Sequence, residues 1–323
     1  MSQLVPADGT LIDRILDGTH ELWHDGLARQ PYGRFWQAQL ATPWGQHRLT
    51  RWALVDGGRL LCSAKLYTFD AVLDGRALQV AGIGAVFTPI PERGRGAAAD
   101  LLARLMDHAS RNGYDAALLF SEIGPDYYAR LGFVTIPLAD LTVLVVEDPR
   151  RGAPAIMVRS GEDRDLADIA SIDAARAAPA RFHLERDRDL IKFSIAKRRL
   201  HAALAAPGTR ELQFFIAEEG ASAVAYVVIS VKGDEWTIDS CGDRDPAGAR
   251  LGGLLQVLIA REPSRRRPTI KAWLPESLRP PQLRIVDASP SRDVMMIRPL
   301  NDRGRPTAPL AASDIVYWRG DHF

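Results

Sequence analysis

Apolar residues along this chain change their spacing from segment to segment, and the spacing is the first guide to its elements. Leu11, Ile12, Ile15, Leu16, Leu22, Trp23 and Leu27 recur at near-helical intervals, which predicts a helix over 11–30. After the turn-rich "TPWG", the stretches "HRLTRWALVDGG" and "RLLCSAKLYTFDAVLDG" read as strands joined through Asp56-Gly57-Gly58, a sequence suited to a tight hairpin. "RALQVAGIGAVFT" predicts a further strand, "GAAADLLARLMDHASRNG" a helix stopped by Gly113, and "YDAALLFSE" another strand. "DYYARLG" reads as a short helix ending at Gly132, followed by a strand over "FVTIPLADLTVLVVE".

Charge and proline then break the pattern at "EDPRRGAPA". The second half restarts as strand then helix in "IMVRSGEDRDLADIASIDAARA" and continues as three strands through "ELQFFIAEEGASAVAYVVISVKGDEWTIDSCG". "PAGARLGGLLQVLIARE" predicts a helix and "TIKAWLP" a strand. The order strand, helix, meander, strand, helix, strand occurs in both halves, which predicts a duplicated α/β (α+β) architecture. The expected division is a first domain over 1–148, a linker over 149–155, a second domain over 156–300 and a tail over 301–323.

Bulk properties narrow the function. At 323 residues with 46% hydrophobic content, the chain is long enough for two packed domains. Lys and Arg total 41 against 40 Asp and Glu, a balance that argues against a nucleic-acid partner. Cys62 and Cys241 lie far apart without Cys/His clustering, so no disulfide framework and no metal site is expected. The N-terminus has no signal-peptide core, and no apolar run reaches the roughly 18 residues of a membrane span. A cytoplasmic protein without a membrane partner is expected.

The chemistry concentrates in "VFTPIPERGRGAAADLLARL". Here a strand leads into Arg93-Gly94-Arg95-Gly96-Ala97-Ala98 and then a helix. Glycines let the backbone turn tightly and expose N–H groups, while the helix start adds about half a positive charge, so the turn suits a diphosphate. It is neither a Walker loop, since no GKS or GKT follows, nor a GxGxxG dinucleotide turn.

Arg93-x-x-Gly96-x-Ala98 resembles the R/Q-x-x-G-x-G/A signature of the GNAT N-acetyltransferase superfamily. One strand later, Tyr128, Gly132 and Phe133 in "YYARLGF" resemble its second landmark. The Ser-Glu pair followed by "YxRxGF" is similar to the Eis-type acetyltransferases. "SAKLYTF" and "YWRGDHF" look more like the fungal lysine N6-acetyltransferase family. The resemblance implies tandem GNAT-like domains, each a mixed, mostly antiparallel sheet flanked by helices. It implies acetyl-CoA as co-substrate, held by Val86, Phe87, Thr88, Arg93, Gly94, Arg95, Gly96, Ala97, Ala98 and Ser121, with an oxyanion donor among the backbone N–H groups around Phe87 and Thr88.

The resemblance also gives Tyr128 the role of general acid toward the departing thiolate, with Tyr127 as packing. The base is less defined, because "QVAGIGAVFT" holds no carboxylate where many members carry a glutamate. Glu122 and the terminal carboxylate of Phe323 are the two candidates, the latter because Eis-type chains bring theirs into the active site. Tyr32, Phe35 and Trp36 in "PYGRFW" are expected to wall the acceptor site, although aromatics there also suit a core. His20, His24 and Asp25 are read as surface, and "REPSRRRP" as a solvated turn. In the second half, "CGDRDPAGARLGG" replaces the diphosphate turn, and Asp243 and Asp245 would repel a phosphate. The expected activity is acetyl transfer to a primary amine of a small molecule: a lysine-like amino acid, a polyamine or an aminoglycoside. A homo-oligomer is compatible with this reading, and the alternative is a non-catalytic acyl-CoA-binding sensor.

Overall fold

The computed structural model describes residues 1–146, 156–262 and 267–323. The expected linker over 149–155 lies outside the described residues, as does the middle of "REPSRRRP". In chain order the first half runs β1 (Gln3–Pro6), α1 (Gly9–Trp23), α2 (Arg29–Leu40), α3 (Pro43–Arg48), β2 (Leu49–Asp56) and β3 (Arg59–Leu73). It continues with β4 (Arg76–Phe87), α4 (Ala97–Arg111), β5 (Ala116–Ser121), α5 (Asp126–Ala129), β6 (Val134–Thr135) and β7 (Ala139–Val145). The second half runs β8 (Met157–Ser160), α6 (Leu166–Ala177), β9 (Phe182–Leu184), α7 (Arg188–Leu204), β10 (Glu211–Glu219) and β11 (Ser222–Lys232). It ends with β12 (Glu235–Asp243), α8 (Ala249–Arg261), β13 (Thr269–Ala272), β14 (Leu283–Pro290), β15 (Val294–Pro299) and β16 (Ile315–Val316).

Two compact units result. The first comprises Met1–Pro137, Arg292–Leu310 and Phe323; the second comprises Leu138–Ser291 and Ala311–His322. In the first unit the sheet order is β1-β2-β3-β4-β5-β15-β6, antiparallel except for the parallel pair β4–β5. The second unit orders β14-β7-β13-β12-β11-β10-β8, antiparallel except for the parallel pair β12–β13. In both, a helix (α4 or α8) connects the parallel strands, and beyond that pair the next strand comes from the other half of the sequence.

Three expectations change. The single helix over 11–30 is two, because Asp25 (φ 43°) and Gly26 (φ 87°) turn the chain left-handed between α1 and α2. The single strand after Gly132 is also two, β6 and β7, separated at Pro137, which cannot donate to a ladder. The helix α7 and the strands β14 and β15 were not anticipated. In β15, Met295, Met296 and Ile297 are fully buried because β5 and β6 pair with it on both sides.

In the first unit, alternation along β3 sends Cys62, Ala64 and Leu66 toward Leu101, Leu102, Leu105 and Met106 of α4. On the opposite face Ile15 of α1 packs with Ala53, Leu60 and Phe87. In the second unit the core gathers β11 and β12 against α8, while Arg186 is buried between the carboxylates of Asp173 and Asp321. Among the described residues, no helix is long and apolar enough to cross a membrane.

The segment after β15 is tied to the first unit through buried Asp115. Its Oδ2 accepts the Gln79 N–H at 3.0 Å, its Oδ1 accepts Asn301 Nδ2 at 3.0 Å, and Arg303 Nε lies 3.4 Å away. Replacing Asp115 with Ala strips acceptors from the Gln79 N–H and the Asn301 amide. It should lower the unfolding free energy by about 2–4 kcal/mol in urea melts; an unchanged midpoint would refute the anchoring role.

Candidate active site

The site begins where two parallel strands part. β4 and β5 pair from Val80↔Ala116 to Ile83↔Leu119 and no further, although β4 runs on to Phe87 and β5 to Ser121. On its other edge β4 stays with β3, but out of step: Lys65 faces Gly84 and Ser63 faces Phe87, so β4 carries one extra residue. Ala85 absorbs it at φ 47°, an unusual conformation for alanine. Such a bulge leaves a residue unpaired and bends its strand. The irregularity thus falls at Ala85–Val86, just before the Phe87 and Thr88 amides expected as donors. Phe87 is back in register, and Thr88 donates its hydroxyl to Cys62 Sγ at 3.4 Å.

Beyond Thr88 the chain enters the glycine-rich turn. Gly94 and Gly96 have φ of 73° and 80°, and a Cβ at either would meet nothing within 4 Å. Backbone conformation, not crowding, therefore requires glycine at both. Among the described residues, the six backbone N–H groups from Gly94 to Ala99 have no protein acceptor; the next, Asp100, bonds to Gly96 O. Six free donors at the start of a fifteen-residue helix make an anion-binding end. Arg93 is exposed, with its Nε on Thr88 O at 3.2 Å. Arg95 and Arg59 both approach buried Glu92, at 3.5 and 3.4 Å, and offset the one carboxylate within the turn. Sequence reasoning passed over Glu92.

Tyr128 lies on α5, its side chain in the core beside Phe133. Its carbonyl accepts the N–H groups of Leu131 and Phe133, at 2.9 and 3.1 Å, while Gly132 turns left-handed at φ 84°. The Tyr–Gly–Phe spacing is therefore a helix termination that fixes the phenol's direction. Burial, with Tyr127, Cys62 and Glu122 adding to it, pushes the phenol up to about 12, so it keeps its proton at neutral pH. Ser121, expected to touch a coenzyme, is buried and donates its hydroxyl to Gly124 O at 2.5 Å, which shapes the turn into α5. Glu122 is exposed on that turn.

Phe323 sits on the opposite face of β4. Its ring lies 4.9 Å from Tyr67, 5.2 Å from Phe69 and 5.4 Å from Phe120, centroid to centroid. A Cβ at Gly82 would come within 2.9 Å of the ring, and one at Gly84 within 3.1 Å of the carboxyl carbon and oxygen. Two glycines in "AGIGA" thus make the seat, and the Phe323 carboxyl group lies beside the bulge. On the same sheet face, Trp36 of α2 is 4% exposed, with Phe35 half-buried nearby in sequence. The Tyr32 hydroxyl bonds to Thr19 Oγ1 at 3.2 Å. Among the described residues, no group of three or more His, Cys, Asp or Glu is placed to hold a metal ion.

The corresponding helix end of the second unit is occupied by its own chain. Asp243 accepts the Leu251 N–H through Oδ2 and the Asp245 N–H through Oδ1, both at 2.8 Å, and Asp245 accepts the Ala247 N–H at 3.0 Å. A carboxylate already sits where a phosphate would go.

Residues 16–136 match the family model described as an acetyltransferase (GNAT) domain. The chain carries a GNAT acetyltransferase domain and is an acyltransferase by class. No curated protein matches it by sequence. Among solved structures, a GCN5-related N-acetyltransferase from Kribbella flavida superposes with a TM-score of 0.68 at 17% identity, over 93% of this chain and 71% of that one. A tandem GNAT protein from the clavulanic acid biosynthesis pathway gives 0.55 at 15%, over 93% and 99%. Eis1 from Mycobacterium abscessus gives 0.56 at 14%, over 93% and 74%. These are likenesses of fold.

The glycine seat is directly testable. Gly84→Val puts a branched side chain against the Phe323 carboxyl group and should displace it. Amide hydrogen exchange at Phe323 should then be several-fold faster than in the wild type under native conditions; equal rates would mean that Gly84 does not hold the residue.

Proposed function

We propose that this protein transfers an acetyl group from acetyl-CoA to the primary amine of a small molecule. One observation carries the reading: β4 and β5 part before their ends, and β4 leads directly into a turn and helix start with six free amides. Gly94 to Ala99, with Arg93 and Arg95, would hold the coenzyme's diphosphate. The unpaired edges of β4 and β5 beyond Ile83 and Leu119 would meet its amide-bearing arm. Acetyl-CoA supplies an activated acyl group as a thioester.

The reaction forms an amide bond and breaks a carbon–sulfur bond; the amine loses a proton and the sulfur gains one. An alkylamine has a pKa of about 10.4, so a group must accept its proton near neutrality. The carboxylate of Phe323, seated at the bulge, is the proposed acceptor, directly or through water. It is preferred to Glu122, whose side chain is exposed on a turn. A backbone N–H freed at Ala85–Val86 would donate to the carbonyl oxygen as charge builds on it. Tyr128, held protonated by burial, would donate to the sulfur.

Thiol release from acetyl-CoA with a panel of amines tests the activity; coenzyme binding without turnover of any amine would favour a sensor instead. Tyr128→Phe should lower kcat by about 10²–10⁴-fold, and an unchanged rate would remove the acid role. Because the phenol titrates near 12 rather than 10, loss of its proton should not limit the rate below about pH 11. Gly96→Val should weaken coenzyme A binding in calorimetry by about tenfold or more; unchanged heat would sink the diphosphate assignment. Appending a few residues after Phe323 should depress kcat if its carboxylate is the base.

A further inference from the structure

One side chain of the first unit is left unanswered by its own fold. Arg51, on β2, is 3% exposed, and none of its three guanidinium nitrogens has a hydrogen-bond acceptor among the described residues. Arg186 of the second unit is as deeply buried but lies between two carboxylates. An unpaired buried cation is among the costliest arrangements a fold can keep, and it calls for an explanation. Burial lowers the Arg51 pKa only to about 10, so it remains charged at neutral pH.

Its surroundings suit an anion. The guanidinium carbon lies 5.0 Å from the centroid of the Trp36 ring, and the Lys65 ammonium lies 5.5 Å from the same centroid. Tyr32 and Tyr67 are close enough to act on Arg51 electrostatically. Of the helices on this face, α2 and α3 contain no Asp or Glu, while the three carboxylates of α1, Asp13, Asp17 and Glu21, are exposed and Asp17 is paired with Arg29 at 2.7 Å. Arg51 faces Lys65, and Lys65 faces Gly84, so a straight row across three strands leads from the guanidinium to the bulge. With strands about 4.8 Å apart, that row spans roughly 10 Å between its end Cα atoms.

We propose that Arg51 anchors a carboxylate of the acceptor, so that the site takes an amino-acid-like amine and rejects a polycation. This rests on the acetyltransferase reading above and narrows its acceptor. The guanidinium at the far end of the row repels the second ammonium of a polyamine or an aminoglycoside, and a carboxylate supplies the acceptors that it lacks. The nitrogens are enclosed, so entry requires the Trp36 indole to swing aside. Amines with an extended chain between carboxylate and reactive nitrogen fit the row best.

L-lysine and cadaverine differ only by the carboxylate and make the test. Wild-type kcat/KM should favour lysine by about 100-fold. Arg51→Met should collapse that ratio toward one, mainly through KM for lysine, and should raise Tm, because an unpaired buried charge gives way to an apolar side chain. Arg51→Lys keeps a charge and should retain part of the preference, which guards against a misfolded Met variant. Cadaverine turned over as well as lysine, or a parallel loss for both amines in Arg51→Met, overturns the proposal while leaving the acetyltransferase reading intact. If neither amine is acetylated, that reading has failed here, and calorimetry decides the anchor separately. Heat with lysine but not cadaverine, lost in Arg51→Met, upholds it; equal heats, or none, overturn it.

Discussion

The parting of β4 and β5 is the constraint on which the working end of the first unit depends. A parallel ladder that continued past Ile83 and Leu119 would consume the backbone groups of Gly84–Phe87 and Phe120–Ser121. The extra residue at Ala85 bends β4 away, while the Ser121–Gly124 hydrogen bond turns the chain after β5 toward α5. Each strand thereby delivers its successor to the same opening. β4 leads into the glycine-rich turn, and β5 leads into the helix that carries Tyr128.

Electrostatics separate the two units more sharply than topology does. Both place a helix between parallel strands and start it at a left-handed glycine, Gly96 or Gly248. In the first, the donors at the helix start are free and flanked by arginines. In the second, Asp243 and Asp245 accept from the residues around the helix start, so that end is satisfied from within. An internal carboxylate and an external phosphate compete for the same dipole, and the internal one is always present. The duplicated architecture thus retains one open helix end.

Much of this was legible in the order of residues. The hairpin at Asp56-Gly57-Gly58, the Gly94/Gly96 turn and the Tyr128–Gly132–Phe133 termination are local, and glycine announces the left-handed backbone they need. Ala85 gives no such signal, because alanine adopts that conformation only where its neighbours impose it. Arg51 in "LTRWAL" reads as an ordinary charged residue on a strand; its enclosure comes from a helix that packs over it. The pairings of β7 and β15 are set by partners far away in sequence, which no local pattern encodes.

The position of β15 bears on how the molecule is made. On the ribosome, β5 emerges long before Val294–Pro299, so its outer edge and the apolar faces meant for Met295 to Ile297 stay uncovered meanwhile. At about 5–20 residues per second the gap lasts on the order of ten seconds or more. Through that interval the nascent first sheet is an open edge in a crowded cell, which is the kind of client that holding chaperones protect. Slow translation of the second half would prolong that exposure, so solubility during biosynthesis depends on elongation speed as well as on the stability of the finished fold.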